Sequence, residues 1–293
     1  MSSLENSVQS PALDLTAFPY IPADYEQQKY YNVVMLVAYK GSNYAGFQRQ
    51  QHTLSVQGCL EKALSKVANH SVESFCAGRT DANVHGTNQV INFYTTAVRP
   101  DYGWLRGANA NLPPDIRVVA CYVLEDLTFH ARFSALARRY RYLIKEQASI
   151  FDAHVSELIT LVQDKLDLEL MNQAAQHLLG EQDFKSFQAA RCQASTSMRN
   201  IHHAYFYRQG NFIVFDIQAN AFLYHMVRNI MGSLLKVGKH ELSVDEFKAL
   251  IAAKDRNLAP PTAPANGLYL VEVLYPEPYN FKPQTIGPIF LHD

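Results

Sequence analysis

The residues best suited to chemistry lie in the run Cys76-Ala-Gly-Arg-Thr-Asp-Ala-Asn-Val-His-Gly86. This run is too polar and too rich in turn formers to be a core element, and strand-like segments flank it. Gly78, Asn83 and Gly86 tolerate backbone angles closed to most residues, so a shaped loop presenting Arg79 and Asp81 is expected. An isolated aspartate in such a loop most often bonds its own backbone. Arg79, two residues away, argues for more. A guanidinium beside a carboxylate favours its ionised form and fixes its direction, as a nucleophile or base requires.

Two further segments carry usable groups. In Arg138 to Lys145 a strand-like alternation puts Tyr140, Tyr142 and Ile144 on one face and Arg139, Arg141 and Lys145 on the other. Tyrosine rings beside basic groups suit RNA, whose unstacked bases lie on aromatic rings while its phosphates meet guanidinium groups. The same pattern also serves plain packing in a half-buried strand. In the run Asn220 to Met231, Leu223, Met226, Val227, Ile230 and Met231 make the apolar face of a helix. His225, Arg228 and Gly232 form a stripe along its side. Arg228 is either a solvated residue of a core helix or a cation that pairs with Asp81 or with phosphate. His85, His130, His202, His203 and His225 show no metal-ligand spacing, so no metal is expected.

The elements that must position these groups follow from periodicity. Residues 32 to 39 resemble a buried strand, and Thr53 or Ser55 can cap a helix with Val56, Leu60, Leu64 and Val67 on one face. Strands near 72 to 77 and 88 to 95, a helix near 101 to 110 and a strand over 116 to 124 complete the order β-α-β-β-α-β. The second half repeats it. A strand holds Tyr140, and a helix begins at Asp167 with Leu168, Met171, Ala175 and Leu178 inward. Strands 199 to 208 and 212 to 219 turn at Gln209 and Gly210, a helix spans 222 to 237, and a strand closes at 268 to 275. Ser243 and Glu246 form a capping box for an inserted helix. The expected fold is α+β, with two tandem β-α-β-β-α-β (split βαβ, ferredoxin-like) units, antiparallel sheets flanked by helices and a cleft between the halves. The divisions expected are a polar extension over 1–29, partly disordered, an N-terminal domain over 30–130 and a C-terminal domain over 131–293.

Composition sets the limits. The 293 residues, 48% of them apolar, suffice for two cores. No apolar run approaches the roughly 18 residues of a membrane span, and Met1 to Tyr30 lacks a signal peptide's pattern, so a cytoplasmic protein is expected. Cys59, Cys76, Cys121 and Cys192 contain no C-x-x-C pair and are expected to be reduced and mostly buried. With 26 basic and 27 acidic residues the net charge is −1, which gives no overall attraction to phosphate. The distribution is uneven, however. Arg132, Arg138, Arg139, Arg141 and Lys145 share a stretch without an acidic residue, so a local basic face is expected, with salt-dependent binding to a polyanion.

Together the motifs resemble the tRNA pseudouridine synthase A family. They run in order from residue 30 to near the end: YKGSNYAGFQRQ, LSVQGCLEKAL, AGRTDANVHG, the Gln89 strand, NANLP, FHARFSALARRYRY, NAFLYHMVRNIMGSL, GLYLVEVLY and GPIFL. The resemblance implies conversion of uridine to pseudouridine at positions 38, 39 and 40 of the tRNA anticodon stem-loop. It also implies a homodimer working without metal or organic cofactor. By it Asp81 matches the catalytic aspartate, Arg79 its partner in the loop, Tyr140 the ring against the target uracil, and Arg228 the arginine that pairs with the carboxylate. Arg139 and Arg141 are expected beside Tyr140 as substrate contacts. Asn83 stands where the family usually has Gly, and Phe47 where it often has Trp. Asn tolerates positive φ, so the loop should keep its shape.

The implied reaction needs one carboxylate, a pocket for the freed base and exclusion of water. The carboxylate has three routes: attack on ribose C1′, attack on uracil C6, or removal of a proton from ribose C2′. Three other readings are an RNA-binding protein or tRNA chaperone without turnover, the same chemistry on another RNA or position, and a small-molecule glycosidase. Intact Arg79, Asp81, Tyr140 and Arg228 argue against the first. The last would show a second catalytic carboxylate.

Overall fold

The run YNVVMLVAY forms β1 (Tyr31–Tyr39), a strand of apolar residues that needs packing on both faces and is buried on both. The chain continues with α1 (Val56–Ala68), β2 (Phe75–Cys76), β3 (His85–Thr95), α2 (Asp101–Asn111) and β4 (Ile116–Leu124). The second half comprises β5 (Ala137–Lys145), β6 (Thr160–Leu161), α3 (Leu168–Gln176), β7 (Gly180–Asp183), β8 (Met198–Gln209), β9 (Phe212–Ala219), α4 (Met226–Gly238), α5 (Val244–Ala253) and β10 (Leu268–Leu274). This computed structural model describes residues 15–190, 192–281 and 285–291. Local signals set the helix starts. Ser55 accepts a hydrogen bond from the Gly58 N–H, Asp167 accepts one from the Leu170 N–H, and Ser243 with Glu246 forms the capping box.

The two antiparallel sheets expected from tandem units are instead one mixed sheet, in the order β4-β1-β3-β10-β5-β9-β8-β7, with β2 added to β3 and β6 to β5. The physical cause is β10. It pairs antiparallel with β5 on one side and parallel with β3 on the other, joining the halves through backbone hydrogen bonds. Alternate residues of β1 feed different cores. Val33, Met35 and Val37 pack with Leu60 and Leu64 of α1 and Trp104 of α2. Val34 and Leu36 join the cluster of Tyr140, Tyr142, Leu270, Met171, Ile230, Leu234 and Phe247. The helices of the two halves therefore cover opposite faces of a shared sheet. On the second half's other face Leu143, Val214, Tyr269 and Val271 pack with Leu291.

Three smaller features complete the fold. The extension over 1–29 lies partly outside the described residues, but its described part is docked. Ile21 is buried, the Tyr20 hydroxyl donates to the Thr128 carbonyl at 3.1 Å, and the Tyr20 ring packs on His130 and Phe133. The four cysteines are unpaired, yet only Cys121 is buried and the other three are half-buried. No helix among the described residues is long and apolar enough to cross a membrane.

Candidate active site

The loop from Ala77 to Val84 is fixed from several sides. The Ala77 N–H donates to the Val90 carbonyl at 2.8 Å, and the Phe47 N–H donates to the Thr80 carbonyl at 3.0 Å. The Thr80 hydroxyl meets the Tyr39 hydroxyl at 2.8 Å, and Gln89 Nε2 donates to the Gly78 carbonyl at 2.6 Å. Gly46 sits at φ +104, and a Cβ there would lie 2.8 Å from the Thr80 carbonyl oxygen, so only glycine lets this neighbouring turn approach. Within the loop Asn83 takes φ +64, whereas Gly78 and Gly86 keep ordinary angles.

The strongest tie comes from the other half of the chain. Arg138 is buried, and its guanidinium donates to the Ala77 carbonyl through Nε (3.2 Å) and Nη2 (2.9 Å). It also donates to the carbonyls of Arg132 (2.7 Å), Ala135 (3.1 Å) and Asn220 (3.0 Å). Its hydrogen bonds among the described residues all go to backbone carbonyls, and burial lowers its pKa from the usual arginine range. It therefore acts as a bracket between the Asp81 loop and the second half.

Asp81 faces α4. Arg228 Nη1 donates to its Oδ2 at 3.1 Å, and His225 Nε2 lies 3.2 Å from the same oxygen. Oδ1 has no hydrogen-bond partner among the described residues, and the side chain keeps 20% of its exposure. One carboxylate oxygen is thus held while the other is open. Burial pushes the His225 pKa down, with the charge of Asp81 opposing and that of Arg228 adding to the effect.

Arg228 is itself positioned. Its Nε donates to the Ala263 carbonyl at 3.0 Å, and the Ala263 N–H returns a bond to the Arg228 carbonyl at 3.1 Å. The segment carrying Ala263 lies against α4 at Gly232, where a Cβ would come within 2.1 Å of the Pro261 carbonyl oxygen. Arg256 secures it further, through Nη1 to the Ala259 and Pro260 carbonyls and Nη2 to the Thr262 hydroxyl. The helix expected over 222–237 starts only at Met226, because His225 adopts φ +60, outside the helical range. That left-handed residue turns the imidazole toward Asp81.

Of the six expected site residues, the structure brings Asp81 and Arg228 together and leaves Tyr140 close by. The Tyr140 ring is buried edge-on to Phe222 at 5.1 Å between centroids. Burial raises its hydroxyl pKa, Arg138 opposes this and Asp81 adds to it, so the hydroxyl stays protonated. Arg79 is exposed and makes no ion pair with Asp81; His225 holds the carboxylate beside Arg228 instead. Arg139 and Arg141 lie on the reverse face of β5. Arg139 grips buried Asp216 through Nε (2.7 Å) and Nη2 (2.8 Å), and Arg141 Nε reaches it at 2.9 Å. Burial alone would raise the Asp216 carboxyl, but His203, Arg139 and Arg141 hold it well below the usual range. No periodic signal marked His225 as the missed partner, because its left-handed backbone takes it out of the helical spacing. Arg138 had none either, since nothing in its neighbours announces burial. No group of His, Cys, Asp and Glu arranged to hold a metal occurs among the described residues.

Asp81, with one oxygen held and one open, stands on a loop of a mixed α/β fold, and comparison with known proteins gives the class and family. The family model described as tRNA pseudouridine synthase matches residues 35–134 and 174–276, which include Asp81, His225 and Arg228. The tRNA pseudouridine synthase A of Escherichia coli strain K12 is 51% identical over 271 residues, covering 92% of this chain and 100% of that protein. Its counterpart in the O157:H7 strain EC4115 matches to the same extent. A solved structure described as an H/ACA RNP bound to a substrate RNA containing 2'-deoxyuridine aligns at a TM-score of 0.29 and 13% identity, over 69% of this chain and 53% of that one. That likeness is too remote to add anything. The chain belongs to the tRNA pseudouridine synthase family and is an enzyme of that class.

Proposed function

We propose that this chain isomerises uridine to pseudouridine at positions 38, 39 and 40 of the tRNA anticodon stem-loop, with Asp81 as its working carboxylate and no cofactor. The observation that carries the reading is the asymmetry at Asp81: Oδ2 is taken by Arg228 and His225, and Oδ1 is open. The reaction breaks the bond from N1 to C1′ and forms one from C5 to C1′, while C5 loses a proton and N1 gains one. Atoms balance, so no co-reactant is needed. Attack on C1′, attack on C6 and removal of the C2′ proton all use the same free oxygen.

Arg228 aims the Asp81 carboxylate through its bond to Oδ2, and His225, whose pKa burial lowers, contributes a neutral hydrogen-bond donor to the same oxygen. Tyr140 retains the freed uracil against the apolar wall it shares with Phe222 while the base turns. The target nucleotide is extruded from the stem, and Arg79, free of Asp81, meets the RNA. Arg139 and Arg141 support the sheet through Asp216 rather than touching substrate. The halves 30–130 and 131–293 form the walls of the substrate cleft, and the enzyme works as a cytoplasmic homodimer. Asp81→Asn preserves size and removes the charge. Given unmodified tRNA without metal or nucleotide, this variant binds normally and forms no pseudouridine. Full activity in it ends the assignment.

A further inference from the structure

The turn between the halves carries two exposed side chains, although Tyr20 and His130 pack on the ring of one of them. Phe133 is 65% exposed. Arg132 is exposed with its guanidinium carbon 5.5 Å from the Phe133 ring centroid, and its side chain makes no hydrogen bond or ion pair among the described residues. The turn itself is firmly held. His130 Nδ1 accepts from the N–H groups of Arg132 (3.0 Å) and Phe133 (3.4 Å), and Ser134 and His130 exchange bonds of 2.9 and 3.0 Å. Tyr20 backs the Phe133 ring, stacked at 5.9 Å and 28°.

A single exposed ring is ordinary on a protein surface. Location sets this one apart. The Arg132 carbonyl receives Arg138 Nη2, the same atom that donates to the Ala77 carbonyl at the start of the Asp81 loop. Arg79 follows Ala77 by two residues, so it stands on the same loop that Arg138 ties to the Arg132 carbonyl. Only Arg138 is bonded among the described residues, which leaves two guanidinium groups without an anion.

We propose that Phe133 and Arg132 form an RNA-docking platform beside the Asp81 loop, Phe133 stacking on an unpaired base next to the extruded uridine and Arg132, with Arg79, taking phosphates of that strand. The inference rests on the RNA-modifying function proposed above and names the surface that grips the substrate. An aromatic ring set rigidly before binding loses little entropy on stacking, and every base offers it a face. Guanidinium groups supply the salt-dependent share of affinity.

The test uses the full chain and an unmodified tRNA transcript, with binding measured across NaCl concentrations and pseudouridine formation followed in single turnover. Phe133→Ala should weaken binding roughly tenfold or more. Phe133→Trp should restore it, and all variants should melt like the parent. The loss should show in the enzyme-concentration dependence of the single-turnover rate, and Phe133→Trp should reverse it. Arg132→Gln should flatten the slope of log K against log[NaCl] by about 0.7 to 0.9. Unchanged affinity in Phe133→Ala, or a lower saturating rate at unchanged affinity, overturns the platform. Should the parent bind but form no pseudouridine, the proposed function fails, while the binding measurements still decide the platform.

Discussion

Gly232→Ala tests whether the site depends on a contact remote from the reacting atoms. The new methyl would stand 2.1 Å from the Pro261 carbonyl oxygen, where about 3 Å is the closest tolerable approach, so the segment must retreat by roughly 1 Å. Ala263, two residues on, then draws away from Arg228 Nε. A hydrogen bond now at 3.0 Å opens toward ~4 Å and is lost. Overpacking costs about 1–3 kcal/mol of stability, which the fold tolerates. A catalytic group displaced by about 1 Å costs on the order of 100-fold in rate. The assay is single-turnover release of tritium from tRNA labelled at uracil C5, since that hydrogen leaves when C5 bonds to C1′. The expected result is a rate about 100-fold lower with tRNA affinity unchanged, and little further loss when Arg228→Gln is added. A parent-like rate, or independent losses in the double variant, refutes the chain from Gly232 through Ala263 to Arg228.

Three other outcomes are expected. Tyr140→Phe retains the ring and should keep more pseudouridine formation and tRNA binding than Tyr140→Ala; equal losses in both contradict a packing role for the ring. Burial pushes His85 and His130 down to about 4, from 6.5 when exposed. Between those values the unfolded chain binds protons that the folded one does not, so stability is full above about pH 6.5 and falls toward pH 4, by about 1.4 kcal/mol per unit for each histidine. His130→Asn keeps an acceptor for the Arg132 N–H and should shallow that slope by about 1.4 kcal/mol per unit in urea titrations; an unchanged slope removes His130 from the account. Asp216→Ala strands Arg139, Arg141 and His203, and should destabilise the fold by about 3–5 kcal/mol. Chemical denaturation reads this directly, and a loss under 1 kcal/mol contradicts the pairing.

What the sequence disclosed was local. Ser55, Asp167 and Ser243 announced their helices because a cap is a contact between near neighbours. The alternation in β5 separated Tyr140 from Arg139 by spacing alone. Asp81 and Arg228 were legible as a charged pair of residues, but their partners were not. Whether Arg79 or His225 lies beside Asp81 depends on a left-handed residue at 225, which no periodic pattern reveals. The single sheet was hidden for a related reason: β10 has the composition of any buried strand, and its place between β3 and β5 is decided by contacts distant in sequence. β6 and β7, at two and four residues, are too short to register as a period. The docking of residues 15–29 rests on Tyr20 and Ile21, two apolar side chains in a stretch whose polarity argued otherwise.

The central position of β10 has a consequence for synthesis. Asn88 Nδ2 donates to the Val271 carbonyl across 183 residues of chain, so the sheet is completed by a segment that leaves the ribosome long after its partner strand. Until that segment inserts, nothing in the backbone ladder holds the aspartate loop in register with helix α4. Contacts so distant in sequence are slow to form, so before β10 inserts the halves are tied by side chains such as Arg138 rather than by a continuous ladder. The pairing of Asp81 with Arg228 is therefore completed late in folding.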